Sequence, residues 1–260
     1  MTAPGDDALV TLIGALARAA PRWVTLRFGE LQATSPTVER LCTDPGAVVL
    51  DHIGRASYLS LPKSNEEYLA RLAPSFRKNI ARQARKLFAL SGAAVEFVDA
   101  TQATPAHLEA FIATEATGWK ARKGNAVARR AELSAYYEAV TQRLARSGAL
   151  VWTLIHGDQR VLAVGLGVRM GNKLALDKIA YDEAYSAVAP GNVLIAKIVE
   201  HAIAGGMTEL YFLTDHEWNR RWQAETRDTY DVAVYRPIAR ALLPWYLPDL
   251  ARRTLRGPRS

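Results

Sequence analysis

The sequence predicts a mixed α/β fold, with helices packed on a mixed sheet. Three observations predict it. Strand-like and helix-like segments alternate along much of the chain. Three strand-like runs follow one another between two helical stretches. Two tight turns, Gly157-Asp158 and Gly171-Asn172, join those runs into an antiparallel meander. The chain has 260 residues, 49% of them hydrophobic, so it has material for a full core, and 23% charged residues exclude wholesale disorder.

Residues 8–20 read as a helix. Ala8 to Ala17 is apolar, and Ala17-Arg18-Ala19 imitates a signal-peptidase site. The residues before it carry Asp6 and Asp7 and no Lys or Arg, the reverse of a secretory n-region, so an ordinary helix is expected. Trp23 to Phe28 and Val48 to Ile53 are short strands rich in β-branched and aromatic residues, and Tyr58 to Leu61 is a third, ended by Pro62. Ser64-Asn65-Glu66-Glu67 starts a helix with acids in its first turn. Pro74-Ser75 opens another, Phe76 to Leu90, stopped by Ser91-Gly92. In it Phe76, Ile80, Ala84 and Leu87 follow the helical period, while Arg77, Lys78, Arg82, Arg85 and Lys86 fall on the other sides.

The second half is more regular. Val95 to Val98 is a strand, Pro105 to Thr117 a helix ending at Gly118, and Arg129 to Arg146 a helix stopped by Ser147-Gly148. Leu150 to Ile155, Arg160 to Arg169 and Lys173 to Ala180 are the meander strands. Pro190 to Ala204 is a helix closed by Gly205-Gly206. Leu210 to Leu213 is a strand, Glu217 to Glu225 a short helix, and Val232 to Tyr235 a last strand.

Charge narrows the functional classes. The net charge of +7 comes from two short segments: residues 71–90 hold 6 basic side chains and no acid, and residues 236–260 hold 6 and 1. The rest is mildly acidic, which argues against a general polyanion binder and against nucleic acid as a partner. No apolar stretch, such as Ala149 to Ile155, is long enough to span a bilayer. One cysteine excludes a disulfide framework and a multi-thiolate metal site, and fits a cytoplasmic protein. The five histidines show no ligand spacing, so no metal is expected. There is no G-x-S-x-G, H-E-x-x-H or G-x-x-x-x-G-K-[ST]. Gly165-Leu166-Gly167 lies within a strand and opens no helix, so it is not a dinucleotide fingerprint.

Four segments carry a resemblance. Ser75-Phe76-Arg77-Lys78-Asn79-Ile80-Ala81-Arg82-Gln83-Ala84-Arg85-Lys86-Leu87, with Gly92 after it, is the first. Gly118-Trp119-Lys120-Ala121-Arg122-Lys123-Gly124 is the second. Lys178-Ile179-Ala180-Tyr181-Asp182 followed by Pro190-Gly191-Asn192-Val193-Leu194 is the third, and Phe212-Leu213 with Trp218-Asn219-Arg220-Arg221-Trp222 is the fourth. Their order resembles the CelD/FemAB-like acetyltransferases of the Gcn5-related N-acetyltransferase (GNAT) superfamily, over about residues 64–236. Ala189 stands where that group has Ser, and Trp218-Asn219 where it has Tyr-Lys.

The resemblance implies a GNAT fold, in which the last meander strand splays from the next strand and an acyl-CoA sits in the gap. It divides the chain into an N-terminal extension, 1–90, read as a fragment of a first GNAT-like repeat, a core, 91–236, and a basic tail, 237–260. It implies transfer of an acetyl or other acyl group from acyl-CoA to an amine or hydroxyl, by direct attack on the thioester. The acceptor class expected is a small molecule, glycan or amino acid. Fem-type aminoacyl transfer from tRNA, or a degenerate GNAT serving as a binding module in polysaccharide or envelope assembly, are the alternatives.

Ala180, Pro190, Gly191, Asn192, Val193 and Leu194 are the acyl-CoA candidates. The free amides and dipole at the start of a helix favour a pyrophosphate, and an ordinary proline helix start is the alternative. Asp177, Asp182 and Asp215 are candidate bases and Tyr181 a candidate acid. Strand alternation puts Asp177 and Tyr181 on one face and Lys178 on the other, lining the acceptor side or forming structural ion pairs. Trp119, Lys120, Lys178 and His216 are the acceptor-side candidates; Trp119 also reads as a loop anchor and His216 as an exposed loop histidine. In the tail, Leu242 to Pro248 is apolar and aromatic and is followed by four arginines. It reads as a segment packed back on the domain, or as a peripheral membrane contact.

Overall fold

The computed structural model describes residues 11, 14–16, 18–20, 23–33, 35–43, 48–118, 127–213, 215–235 and 247. Its strands are β1 (Thr25–Gln32), β2 (Val48–Ser60), β3 (Ala94–Asp99), β4 (Leu150–Gly157), β5 (Arg160–Met170), β6 (Lys173–Tyr181), β7 (Glu209–Tyr211) and β8 (Glu225–Tyr235). Its α-helices are α1 (Pro36–Thr43), α2 (Asn65–Arg71), α3 (Pro74–Leu87), α4 (Pro105–Ala116), α5 (Ala131–Arg146) and α6 (Pro190–Ala204). The chain divides into two units, Ser57–Glu225, and Met1–Ala56 with Thr226–Ser260.

In the larger unit the strands run in the order β2-β7-β6-β5-β4-β3. Every pairing is antiparallel except β6 with β7, which is parallel. The first meander turn differs from the expected Gly157-Asp158. Gly157 pairs with Arg160, so the turn residues are Asp158 and Gln159, at φ +50° and +61°. A two-residue hairpin of this hand needs positive φ at both central positions, which Asp tolerates well. Asp158 is held there by its amide, which donates to the Ser91 carbonyl at 2.7 Å, and by the Tyr185 hydroxyl, which donates to its carboxylate at 3.1 Å. Gly157 answers a packing need instead: a Cβ there would lie 2.7 Å from Leu162 Cδ1.

Each sheet face buries its own core. On one, Leu59, Ile155, Leu162, Leu174 and Leu176 pack with Ile80 and Leu87 of α3 and with Leu194 and Ile198 of α6. Gly165 lets α6 approach, since a Cβ there would stand 3.1 Å from Ile198. On the other, Trp152, Leu154, Val164, Leu166 and Ala180 pack with Phe111 of α4 and Tyr137 of α5. The apolar stripe read from α3 is therefore its inner face. Ile80 and Leu87 belong to the main core, and α2 and α3 fall in the same unit as the meander.

In the smaller unit β1 pairs antiparallel with β8, and Val38 and Leu41 of α1 bury against Val232 and Val234. The expected strands 48–53 and 58–61 are parts of the single strand β2, and β8 starts well before Val232. Residues 11, 14–16 and 18–19 are helical, in keeping with the helix read over 8–20. No described helix is long and apolar enough to cross a membrane. The tail, Leu247 apart, lies outside the described residues.

Ile80→Asp should abolish cooperative thermal unfolding, because it sets an unpaired carboxylate in the main core. Arg82→Ala and Arg85→Ala, on the exposed side of α3, should each cost no more than about 0.5 kcal/mol. Melting curves of the three variants check the assignment of faces.

Candidate active-site cleft

The site begins with an irregularity in β6. Leu166 pairs with Lys178, yet Gly167 pairs with Leu176, so Asp177 is the extra residue at a register shift, a β-bulge. The side chains record the same slip. Leu174 and Leu176 face the α3/α6 core, and after the bulge Ile179 and Tyr181 face it, while Ala180 is buried under α4 and α5. Even positions have given way to odd ones across one added residue. This corrects the alternation expected for Asp177 and Lys178, because both now interact with the same helix on the α4/α5 face. The Lys178 ammonium lies 5.0 Å from the centre of the Tyr137 ring and 3.8 Å from Glu115, and the Asp177 carboxylate is near enough to add to the upward push that burial gives the Tyr137 phenol.

Beside the bulge the sheet opens. β6 and β7 share only three pairs, Lys173 with Glu209, Leu174 with Leu210 and Ala175 with Tyr211. Beyond them lies a cleft of about 790 Å3. One wall is β6, from Leu176 through Asp177, Lys178 and Ile179 to Tyr181. The opposite side carries Phe212, His216, Trp218, Arg221 and Trp222, and α6 and α3 add Gly191, Asn192, Ile195 and Phe76. Aromatic packing fixes much of this wall. Trp222 is buried with its ring edge-on to Phe76 at 5.1 Å, and its carbonyl accepts from the Tyr68 hydroxyl at 3.0 Å. Trp218 is half-exposed and stands edge-on to Phe212 at 5.3 Å.

Six of the expected site residues therefore meet in the cleft: Asp177, Lys178, Tyr181, Gly191, Asn192 and His216. Others have different places. Asp182 is buried and caps the 3-10 helix Glu183–Val188, its carboxylate accepting from the Ala184 amide at 3.0 Å with Arg160 3.5 Å away. Asp215 accepts from the hydroxyl of buried Ser57 at 2.9 Å. Ala180 is buried on the other sheet face, and Pro190, Val193 and Leu194 are buried in α6. Trp119 and Lys120 lie outside the described residues.

The start of α6 is more occupied than a bare helix N-terminus. Ala189 caps it in the left-handed region, at φ +47°, and its carbonyl accepts from the amides of both Asn192 and Val193. The Asn192 side chain donates to Gln83 at 3.3 Å, tying α6 to α3. Gly191 lies against the Tyr181 ring, where a Cβ would stand 3.0 Å from Cδ1. Its lack of a side chain thus seats Tyr181 in the cleft wall.

Glu115, Tyr137, Phe76, Trp218, Arg221 and Trp222 were not among the expected site residues. Glu115 left a trace in the sequence, an acid within the apolar run Phe111-Ile112-Ala113-Thr114-Glu115-Ala116. It is buried, and its carboxylate accepts from the Val127 amide at 2.8 Å besides facing Lys178. Tyr137 left none; its ring meets the Lys178 ammonium only through the packing of α5 on the sheet. Among the described residues no group of His, Cys, Asp and Glu is placed to hold a metal ion.

Three comparisons place this geometry. The family model described as the acetyltransferase (GNAT) domain matches residues 74–225. No curated protein matches the chain in sequence. Among solved structures, FemX is similar with a TM-score of 0.63 at 12% identity, over 89% of this chain and 77% of that one. The C-terminal domain of a putative lysylphosphatidylglycerol synthetase from Agrobacterium fabrum is similar with a TM-score of 0.55 at 14% identity, over 95% and 77%. At such identities the two structures speak for the fold alone.

Gly191→Ala should lower stability by about 1–3 kcal/mol, the usual cost of overpacking. Tyr181→Leu in the same chain should recover part of that loss. Thermal melts of the single and double variants test whether the tyrosine is what forbids a Cβ at this position.

Proposed function

The chain belongs to the GNAT acetyltransferase family, and on that premise we propose that it transfers an acyl group from an acyl-CoA to an amine. We place it with the CelD/FemAB-like members, on the four sequence segments that resemble them. The observation that carries the proposal is the parting of β6 from β7 after three pairs, with a β-bulge at Asp177 in the opening. A thioester donor laid through that opening meets apolar side chains from Phe76, Ile179, Ile195 and Phe212 along its arm. Its phosphates fall toward the start of α6 and the Arg221 guanidinium.

In this reading Asp177, an exposed carboxylate on the cleft wall, takes a proton from the acceptor ammonium. The amine attacks the thioester carbonyl, and a β6 amide freed by the bulge steadies the developing oxyanion. Tyr181 delivers a proton to the departing thiolate. Asp182 and Asp215, engaged as a helix cap and by Ser57, serve the fold. His216 and Trp218 line the acceptor's side, which suits a small molecule, an amino acid or a sugar amine. Fem-type transfer from an aminoacyl-tRNA would use the same cleft and differ in the donor. Against it, the chain outside two short basic segments is mildly acidic, and Arg77 of the basic helix is engaged within the fold, donating to the Leu69 carbonyl.

Acetyl-CoA should raise the melting temperature, since a ligand of the native state alone stabilises it. With an amine panel the protein should release free thiol. Asp177→Asn should retain the thermal shift and lose about 100-fold or more in turnover. An unshifted melt with acetyl-CoA and CoA, or full turnover in Asp177→Asn, would contradict the proposal. Salt-sensitive tRNA binding without any response to CoA would favour aminoacyl transfer instead.

A further inference from the structure

A second hollow lies between α4 and α5, over β4. It holds about 340 Å3 and shares no lining residue with the cleft. That volume is at the small end of the range for ligand pockets. Its origin is a mismatch of side-chain sizes. Leu150 and Trp152, two apart on β4, point to the same sheet face and form a buried floor. Pro105, Leu108 and Ile112 follow the helical period along α4 and make one side. Ser134, Thr141 and Ala145 do the same on α5 and make the other. Where large rings face each other the two helices close up, Phe111 lying 6.3 Å from Tyr137. Around Ser134, Thr141 and Ala145 the side chains are too short to fill the gap, and an apolar groove is left over the floor.

The polar groups around this groove are mainly acceptors. Two exposed carboxylates line it, Glu109 from α4 and Glu138 from α5. Among the described residues neither forms an ion pair, and Glu138 accepts one long bond, from the Gln142 amide at 3.4 Å. No Lys, Arg or His stands among the described lining residues. The buried Thr141 hydroxyl donates to the Tyr137 carbonyl at 2.7 Å, and the Ser134 hydroxyl donates to the Val127 carbonyl at 2.9 Å. Both hydroxyl protons are used within the fold, so these two oxygens have only lone pairs to offer a ligand.

We infer that the groove between α4 and α5 is a second small-molecule site, for an amine with an apolar body. The body lies over Leu150 and Trp152, and the ammonium meets the carboxylates of Glu109 and Glu138. An ammonium brings donors and no acceptor, which matches the groups on offer. A ligand carboxylate would meet charge of its own sign with no lining cation to offset it. The apolar body covers a surface that the helices leave open to water, which is the main source of affinity in such a hollow. The inference goes beyond acyl transfer and stands without it, because the groove and the cleft are built from different residues.

Titration of the full chain with 2-phenylethylamine, followed by backbone amide NMR without any acyl-CoA, tests the inference. The shifts should saturate at millimolar amine, as expected for so small a ligand, and cluster on residues 104–112, 134–145 and 150–152. 3-Phenylpropionate, the anionic analogue, should leave these residues unshifted. The double change Glu109→Gln with Glu138→Gln should weaken the amine about fivefold, in keeping with two exposed charge contacts. Raised salt should weaken it in the same direction. Both glutamates are exposed, so this variant keeps its fold, and a thermal melt checks that. Ala145→Phe should fill the groove and abolish the shifts; if that variant melts early, Ser134→Leu takes its place. Shifts confined to the cleft residues 176–181, equal binding of amine and carboxylate, or unchanged affinity in the double glutamine variant would each overturn the inference. Because the readout is resolved by residue and needs no turnover, none of these results bears on acyl transfer in the cleft.

Discussion

One added residue in β6 governs the rest of the site. A strand that kept strict alternation from Leu174 to Tyr181 would carry Asp177 and Ile179 on the face opposite Leu174 and Leu176, and would bury a carboxylate or strand an isoleucine. The register shift at Asp177 lets Leu176 and Ile179 share the α3/α6 core. It lies just beyond the point where β6 leaves β7, after Ala175. The cleft opens along this part of β6, with Asp177 on its wall.

Close packing around α6 does the remaining placement. The helix sits against β5 at Gly165 and against Tyr181 at Gly191, two positions where a side chain would force the layers apart. Ala189 takes the left-handed conformation at its start, which for a residue with a Cβ costs about 1–2 kcal/mol. The cost is offset by the turn it creates, which accepts two amides at one carbonyl and aims α6 along the sheet. On the far side, α3 contributes Phe76 to the cleft and Ile80 and Leu87 to the core. The basic helix is thus first a structural wall of the site, with its Arg82 and Arg85 turned to solvent.

Much of this was legible in the sequence, for reasons visible in particular residues. The meander could be read because Gly171 and the Asp158 region are turn-formers flanked by β-branched runs. The stripe Phe76, Ile80, Ala84 and Leu87 announced the inner face of α3, and Pro190 the start of α6. The first meander turn was displaced by one residue, because Gly157 serves packing against Leu162 and leaves the positive-φ work to Asp158 and Gln159. Helix α1 was passed over although Ser35-Pro36 is a usable start signal, the Ser35 hydroxyl accepting from the Thr37 amide at 3.2 Å. Within the site, Asp177, Tyr181 and Gly191 could be named from the chain. Tyr137 and Glu115 could not, since no local pattern reports a bulge in one strand or the helix that it meets. For the same reason Asp182 and Asp215, equally plausible by residue type, turned out to hold a helix cap and a buried serine.

The central claim is that the opening beside the Asp177 bulge receives the acyl donor. Backbone amide NMR of the protein titrated with CoA tests it most directly. The account predicts that the largest shifts cluster on residues 176–181 of β6, on 189–192 at the start of α6, and on Phe212 and Arg221. Shifts confined to other surfaces, or none at saturating CoA, would contradict it.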